Sequence, residues 1–258
     1  LIVTTSESPS KEVVDRARSL ADELQAPYAE RRNRTVKFMH EKWDTEEVAI
    51  VGPRDIRLML EGLKPFYFHP SMALVRLKRL MAGGTDALVT VSGVSEGDTV
   101  LDCTAGLCSD SLVFSYKVGE RGSVIALEAS KVLHAIVREG LQSYETGIPE
   151  IDKAMRSIKA VYGNNEQSMT RMEDNSVDIV YFDPMFERPV TTSDSIIPLR
   201  SQAHREPLSE ESVREAIRIA RKKVVLKDHR DSGRFDRLGF RLARSSSSAV
   251  AYGVIEIE

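Results

Sequence analysis

The sequence predicts a doubly wound α/β sheet with a terminal antiparallel hairpin and a small N-terminal α/β subdomain. Three observations carry that expectation. From Gly97 onward, short apolar runs at 99–101, 123–127, 158–162, 177–182 and 223–227 alternate with helical patterns at 110–116, 131–144 and 209–220. The run Val177-Asp178-Ile179-Val180-Tyr181-Phe182 is rich in β-branched and aromatic residues, as in a central strand buried on both faces. Segments 240–243 and 249–257 alternate apolar and polar residues, which suits a closing antiparallel hairpin.

The N-terminal part reads in order as follows. Residues 1–5 form a strand. Ser10 caps a helix over 11–25 in which Val13, Val14, Ala17, Leu20, Ala21 and Leu24 recur at helical spacing, and Pro27 ends it. Residues 28–31 form a short strand and 35–43 a helix. Segments 48–51 and 56–60 pair as a hairpin about Gly52-Pro53, and 64–68 continues as a strand. His69-Pro70-Ser71 turns into a helix that Gly83-Gly84 breaks, and a short helix spans 86–91. The predicted division is residues 1–85 for the subdomain with its connecting helix and 86–258 for the larger domain.

The totals exclude several classes. With 258 residues, 41% hydrophobic and 29% charged, the chain folds around a sizeable core and is not a disordered tail. No apolar run approaches the ~20 residues of a membrane helix, and 1–3 is too short for a signal sequence. Cys103 and Cys108 make no disulfide framework and, with no histidine nearby, no zinc site, so a cytoplasmic location and no metal are expected. Net charge is −3, so a nucleic-acid partner must be held by local basic patches. Candidate patches are Arg31-Arg32-Asn33-Arg34, Arg76 with Lys78 and Arg79, Arg221-Lys222-Lys223, and Lys227-Asp228-His229-Arg230. The first three are more often solvated faces than binding patches.

Chemistry gathers at the carboxyl ends of the strands, where open α/β sheets bind ligands. The first strand runs into Asp102-Cys103-Thr104-Ala105-Gly106-Leu107-Cys108-Ser109-Asp110, whose small residues let a ligand approach the backbone. Its acids would repel a pyrophosphate and suit a cationic ligand. Glu128 ends the second strand, 26 positions beyond Asp102, where an acid can accept both ribose hydroxyls. Asn164 and Asn165 follow the third strand and read either as an adenine contact or as a helix cap. Asp183-Pro184-Met185-Phe186 ends the fourth, because Pro184 cannot continue a ladder.

Together these residues resemble the class I S-adenosylmethionine-dependent methyltransferases. The Asp102–Leu107 start, Glu128 and Asp183-Pro184-Met185-Phe186 are similar to the RsmJ family, which methylates the exocyclic amine of a guanine (N2) in small-subunit ribosomal RNA. The likeness spans roughly residues 97 to 230, and the N-terminal part resembles a Gram-positive, RsmJ-like branch. The resemblance implies a Rossmann-like class I sheet with S-adenosylmethionine as cofactor. It implies cofactor contacts at Asp102, Thr104, Ala105, Gly106, Leu107, Cys108, Ser109 and Asp110, at Glu128, Ala129 and Ser130, and at Asn164, Asn165 and Asp183. Cys108 stands where the family pattern has a second glycine, which opposes positive φ and predicts weaker or shifted binding.

The Asp183–Phe186 stretch also resembles the signature of enzymes that methylate planar amines on nucleobases. Asp183 and the Pro184 carbonyl would accept the two amine protons, and Phe186 would stack on the base. Met185, Phe186, Arg200 and His69 are the candidate substrate contacts, His69 reading also as part of a turn. RNA is the expected partner. A small-molecule or protein amine as acceptor and a non-catalytic binding module remain open alternatives.

Overall fold

The computed structural model describes residues 1–185, 207–243 and 248–258. The polar stretch 189–205 lies outside them. Two compact units divide the chain, one formed by Leu1–His69 with Lys131–Glu145, the other by Pro70–Ser130 with the described residues beyond Thr146.

The smaller unit carries a four-stranded sheet in the order β1 (Ile2–Thr5), β2 (Glu47–Val51), β3 (Ile56–Leu60), β4 (Phe66–Tyr67). β1 and β2 are parallel, and the remaining pairs are antiparallel. Helix α1 (Lys11–Leu24) starts at Ser10, whose hydroxyl accepts from Val13 N, and buries Val13, Ala17, Leu20 and Ala21. Helix α2 (Val36–Trp43) is capped by Thr35 and contributes Met39 to a core with Ile2, Ala29 and Val48. The periodicity at 28–31 yields only a bridge between Tyr28 and Val3, since Pro27 precedes it and offers no N–H. Likewise 64–68 shortens to the two residues of β4.

In the larger unit, helices α3 (Ser71–Met81) and α4 (Ala87–Ser92) precede β5 (Thr99–Asp102). The units change over at His69 and Pro70, where the sequence predicts 85 and 86, because α3 packs on α5 (Ser109–Val118). The chain continues through β6 (Ser123–Glu128), α6 (Lys131–Ser143), α7 (Pro149–Ser157), β7 (Ile158–Tyr162), α8 (Asn165–Met169) and β8 (Val177–Phe182). It closes with α9 (Glu210–Ile219), β9 (Ala220–His229), α10 (Arg234–Arg237), β10 (Arg241–Leu242) and β11 (Val250–Glu256). Helix α6 joins β6 to β7 in sequence yet belongs by packing to the smaller unit. There Gly140 leaves room for the Phe68 ring, which a Cβ would meet at 2.2 Å.

The seven-stranded sheet runs β10-β11-β9-β8-β5-β6-β7. Strands β5 to β9 are parallel, and β11 is antiparallel to both β9 and β10, as the hairpin pattern predicts. β8 is buried along its whole length. Its Val180 and Phe182 join one core with Leu101, Val213, Ile219, Leu226 and Phe235, while Ile179 and Tyr181 join another with Val100, Phe114, Val124 and Val225. Alternation with both faces apolar is what a strand between two layers needs. Asp178, the polar exception, accepts from Thr99 N at 2.9 Å and pairs with Arg221 at 2.9 Å. The strand order reverses between β5 and β8, so the connections that follow them run to opposite sides, the arrangement at which open α/β sheets bind ligands.

Candidate active site

The carboxyl ends of β6, β8 and β9 bring Glu128, Asp183 and Lys227 to one edge of the sheet, and the buried Asp102 ends β5 beneath it. The loop after β5 is pinned from below. Asp102 is buried and accepts from Ser111 Oγ at 2.5 Å and from Thr104 N at 3.1 Å. Burial pushes its carboxyl up to about 7, against the pull of those two donors. Ala105 N donates to Leu127 O at 3.0 Å, and Gly106 N donates to Glu128 Oε2 at 3.1 Å. The Thr104 hydroxyl accepts from Asp183 N at 2.6 Å, which fixes the turn after β8 against the loop.

Gly106 and Cys108 both take positive φ, 51° and 57°. The second value answers the departure noted above, since the cysteine adopts the left-handed backbone for which glycine is suited, at a cost of roughly 1–2 kcal/mol. Its thiol is buried and pushed well above the ordinary range, so it behaves as a small packing group.

Glu128 is nearly buried. Its Oε1 accepts from Ser130 N at 2.8 Å and its Oε2 from Gly106 N. Burial raises the carboxyl to about 7 while the backbone donors of Ser130, Gly106 and Ala129 pull it down. Each oxygen retains lone-pair capacity beyond its backbone partner.

Behind this edge runs a chain of ion pairs. Arg76 of α3 holds Asp86, the N-cap of α4, through two bonds of 2.8 and 2.9 Å, and also reaches Asp110 in the first turn of α5. The Lys227 ammonium lies 2.9 Å from Asp110 Oδ2 and 2.7 Å from Asp183 Oδ2. Tyr181 donates to Asp110 at 2.6 Å, its ring edge-on to Phe114 with centroids 5.3 Å apart. Burial opposes ionisation of Asp110, but Lys227 and Arg76 outweigh it and hold the carboxyl well below its usual range. Asp183 has one cation instead of two. Burial pushes it up to about 6, against Lys227 and with help from the Asp110 charge. Lys227 itself is held above its usual range, because its two carboxylates overcome its burial. The three side chains are 3%, 7% and 27% exposed for Asp86, Asp110 and Asp183, so Asp183 is the most exposed carboxylate of the chain of charges.

Several expectations change here. Asp110 faces inward with both oxygens taken, and Asp102 likewise serves the loop, so neither carboxylate is presented at the edge. Asn164 caps α8, its Oδ1 accepting from Gln167 N at 3.2 Å, and Asn165 Oδ1 accepts from Glu166 N at 2.6 Å. Arg76 and Lys227, expected in basic patches, are internal. Arg221 and Lys222 pair with Asp178 and Asp98, and Lys223 with Glu256. Leu107 and Ser109 stand half-buried in the loop, and Ala129 and Ser130 follow Glu128. His69 packs edge-on to Tyr144 within the smaller unit, ring centroids 5.4 Å apart. Phe186 and Arg200 lie outside the described residues.

A buried pair adds to the site. Arg234 of α10 lies 2.9 Å from Asp228 and contacts the Met185 carbonyl at 3.4 Å, tying the end of β9 to the turn after Pro184. Nothing in the local sequence marks Arg76 for Asp110 or Arg234 for the Met185 carbonyl, 34 and 49 positions away. Among the described residues no group of His, Cys, Asp and Glu is set to hold a metal ion.

A family model described as "Putative SAM-dependent methyltransferase" matches residues 67–234. The uncharacterized protein YpiP of Bacillus subtilis is 42% identical over 255 residues, 99% of each chain. This chain belongs to the S-adenosylmethionine-dependent methyltransferases. It is also 26% identical to ribosomal RNA small subunit methyltransferase J of Hydrogenovibrio crunogenus over 138 residues, 52% of this chain and 49% of that one. A solved S-adenosylmethionine-dependent methyltransferase from Neisseria gonorrhoeae has the same fold, with a TM-score of 0.63 over 99% of this chain and 96% of that one at 19% identity. The enzyme therefore uses S-adenosylmethionine, and the edge suits it. Gly106 has no side chain, and Glu128 keeps acceptor capacity for hydroxyls.

Breaking the ion-pair chain at Lys227 has a defined consequence. Lys227→Met leaves Asp183 and Asp110 sharing a buried edge with one cation fewer. Urea denaturation at pH 7 is expected to show a loss of about 3 kcal/mol. Lys227→Arg is expected to retain most of that stability. Equal losses in the two variants would contradict a charge-based role.

Proposed function

We propose that this methyltransferase N-methylates an exocyclic amine of a nucleobase, the N2 amine of a guanine in small-subunit ribosomal RNA. The observation that carries this reading is Asp183. It is the most exposed carboxylate of the ion-pair chain, it stands at the end of the central strand on the ligand edge, and Pro184 follows it directly. The distant likeness to ribosomal RNA small subunit methyltransferase J supports the choice of RNA.

On this reading Glu128 accepts the ribose hydroxyls of the cofactor, and Gly106 with its neighbours Thr104, Ala105, Leu107, Cys108 and Ser109 lines the approach. Ala129, Ser130 and the amide N–H groups of Asn164 and Asn165 border the adenine. When bound, S-adenosylmethionine supplies a methyl group on a sulfonium, a strong electrophile with a neutral leaving group. A conjugated exocyclic amine is a weak nucleophile, because its lone pair is shared with the ring. Asp183 and the Pro184 carbonyl accept its two N–H bonds and draw the nitrogen toward tetrahedral geometry. The nitrogen forms the new N–C bond and releases one proton, for which Asp183, ionised above about pH 6, is the acceptor. Lys227 keeps that carboxylate ionised and fixed, and Arg234 holds the adjoining Met185 carbonyl. Residues 1–69 with helix α6 form the accessory part, and the unit that starts at Pro70, helix α3 included, forms the cofactor-binding part. The proposed location is the cytoplasm; among the described residues no helix is long and apolar enough to cross a membrane.

The net charge of −3 favours a small-molecule or protein amine as the rival acceptor. Methyl transfer from labelled cofactor to total RNA, small-subunit particles and bulk protein separates the two. Label is expected in RNA or particles, reduced roughly 10²–10⁴-fold in Asp183→Ala. Label confined to protein, or undiminished RNA labelling in the variant, would contradict the reading.

Glu128 offers both oxygens as acceptors to the two ribose hydroxyls only when ionised, and its carboxyl sits at about 7. Calorimetry should therefore show cofactor affinity rising about tenfold from pH 6 to pH 8, with Glu128→Gln weaker and flat. The cofactor-free fold has the opposite trend. Glu128 and Asp102 hold their protons more tightly folded than unfolded, so their contribution is full below about pH 4 and is lost as pH rises through about 7. An identical pH slope in Glu128→Gln would remove this role.

A further inference from the structure

We propose that the basic and aromatic face of segment 31–43 in the smaller unit is an RNA-docking surface, binding phosphates and at least one unstacked base. The inference rests on the RNA reading above and assigns that substrate a second contact.

The segment Arg31-Arg32-Asn33-Arg34-Thr35-Val36-Lys37-Phe38-Met39-His40-Glu41-Lys42-Trp43 carries five cations, with Glu30, Glu41 and Asp44 as the acids in or beside it, in a protein of net charge −3; the Arg31 side chain is 10% exposed, so Arg32, Arg34, Lys37 and Lys42 make the face. Helix α2 meets the needs of folding with its inner side. Met39 and His40 are buried, and Trp43 packs partly on the core of Ile2, Ala29, Met39 and Val48. Phe38 is turned outward and 43% exposed. The cap that starts the helix uses only its backbone N–H, given to Thr35 Oγ1 at 3.1 Å. Folding therefore does not call for an aromatic ring at position 38.

The cations are also placed against the preference of the helix. Arg31, Arg32, Arg34 and Lys37 gather at the N-terminal end of α2, where the dipole favours acids, and its first turn has none. Three of the five have carboxylate neighbours: Arg31 with Glu7 at 3.9 Å, Arg32 with Glu30 at 2.5 Å and Lys37 with Glu41 at 3.9 Å. Arg34 and Lys42 have none among the described residues. The Arg34 guanidinium instead lies 5.4 Å from the Phe38 ring and 5.9 Å from the Trp43 ring, and the Lys42 ammonium 4.6 Å from the Trp43 ring. Cations without carboxylates, interleaved with an exposed ring, match a polyanion that also offers flat faces. An acidic peptide would use the charges but not Phe38.

Trp43 is the chain's single tryptophan among seven tyrosines, so emission excited selectively from tryptophan reports on this face. The full-length protein is titrated with an unstructured RNA of about a dozen nucleotides, and in parallel with polyglutamate. Expected are quenching by RNA, about tenfold weaker binding in Phe38→Ala, and a salt slope reduced by about 0.7 in Arg34→Ala. Circular dichroism should stay unchanged, as neither side chain belongs to the buried core. Polyglutamate quenching equal to that by RNA, with Phe38→Ala neutral, would overturn the proposal in favour of an acidic protein partner. Labelled transfer to small-subunit RNA tells the two failures apart. RNA methylated with an unaltered KM in the Arg34→Ala, Phe38→Ala double variant, without quenching, sinks the surface and spares the RNA acceptor. Quenching with no methylation of any RNA sinks the acceptor and spares the surface.

Discussion

The Lys227 ammonium, shared between Asp110 and Asp183, is the interaction on which the candidate site depends. It is the outer link of a chain of charges that starts at Asp86 and passes through Arg76 and Asp110. The links come from α3, the cap of α4, α5, β9 and the turn after β8, so the charges join elements distant in sequence. Such pairs add little net stability over apolar packing, because desolvation offsets their attraction. What they supply is position. With Asp110 held by two cations and a phenol, the weakest-compensated carboxylate is Asp183, and it is also the most exposed.

The edge of the sheet is thereby divided by charge. On the β5 and β6 side, backbone amides of the loop are directed at Glu128 and Asp102, and both carboxyls sit near 7 because burial outweighs their donors. On the β8 and β9 side, Lys227 keeps Asp183 nearer ionisation. The two sides meet where Thr104 accepts from Asp183 N, so the loop after β5 and the turn after β8 share one hydrogen bond. A rigid link there suits a reaction that depends on orientation more than on acid–base strength.

Much of this was legible in the sequence because it follows short-range rules. Val177–Phe182 reads as a central strand from its composition, and Pro184 marks its end. Glu128 stands out as an acid closing a strand, and Gly106 as a small residue where strand turns into helix. The rest lies in side-chain partnerships with no local signature. Arg76 meets Asp110 34 positions away, and Lys227 meets Asp183 44 positions away. Asp110 consequently looks like a ligand contact in sequence and is internal in the fold. Helices α8 and α10 are too short for periodicity to reveal. The amphipathic pattern of α6 shows that it has a core face, but not that this face belongs to the smaller unit.

The central claim is that Asp183 serves methyl transfer to a guanine amine in ribosomal RNA. The most direct measurement is nucleoside mass spectrometry of small-subunit ribosomal RNA from a strain lacking the gene. The account predicts the loss of one N2-methylated guanosine, restored by the wild-type gene and not by Asp183→Ala. A nucleoside profile identical to that of the parent strain would contradict it.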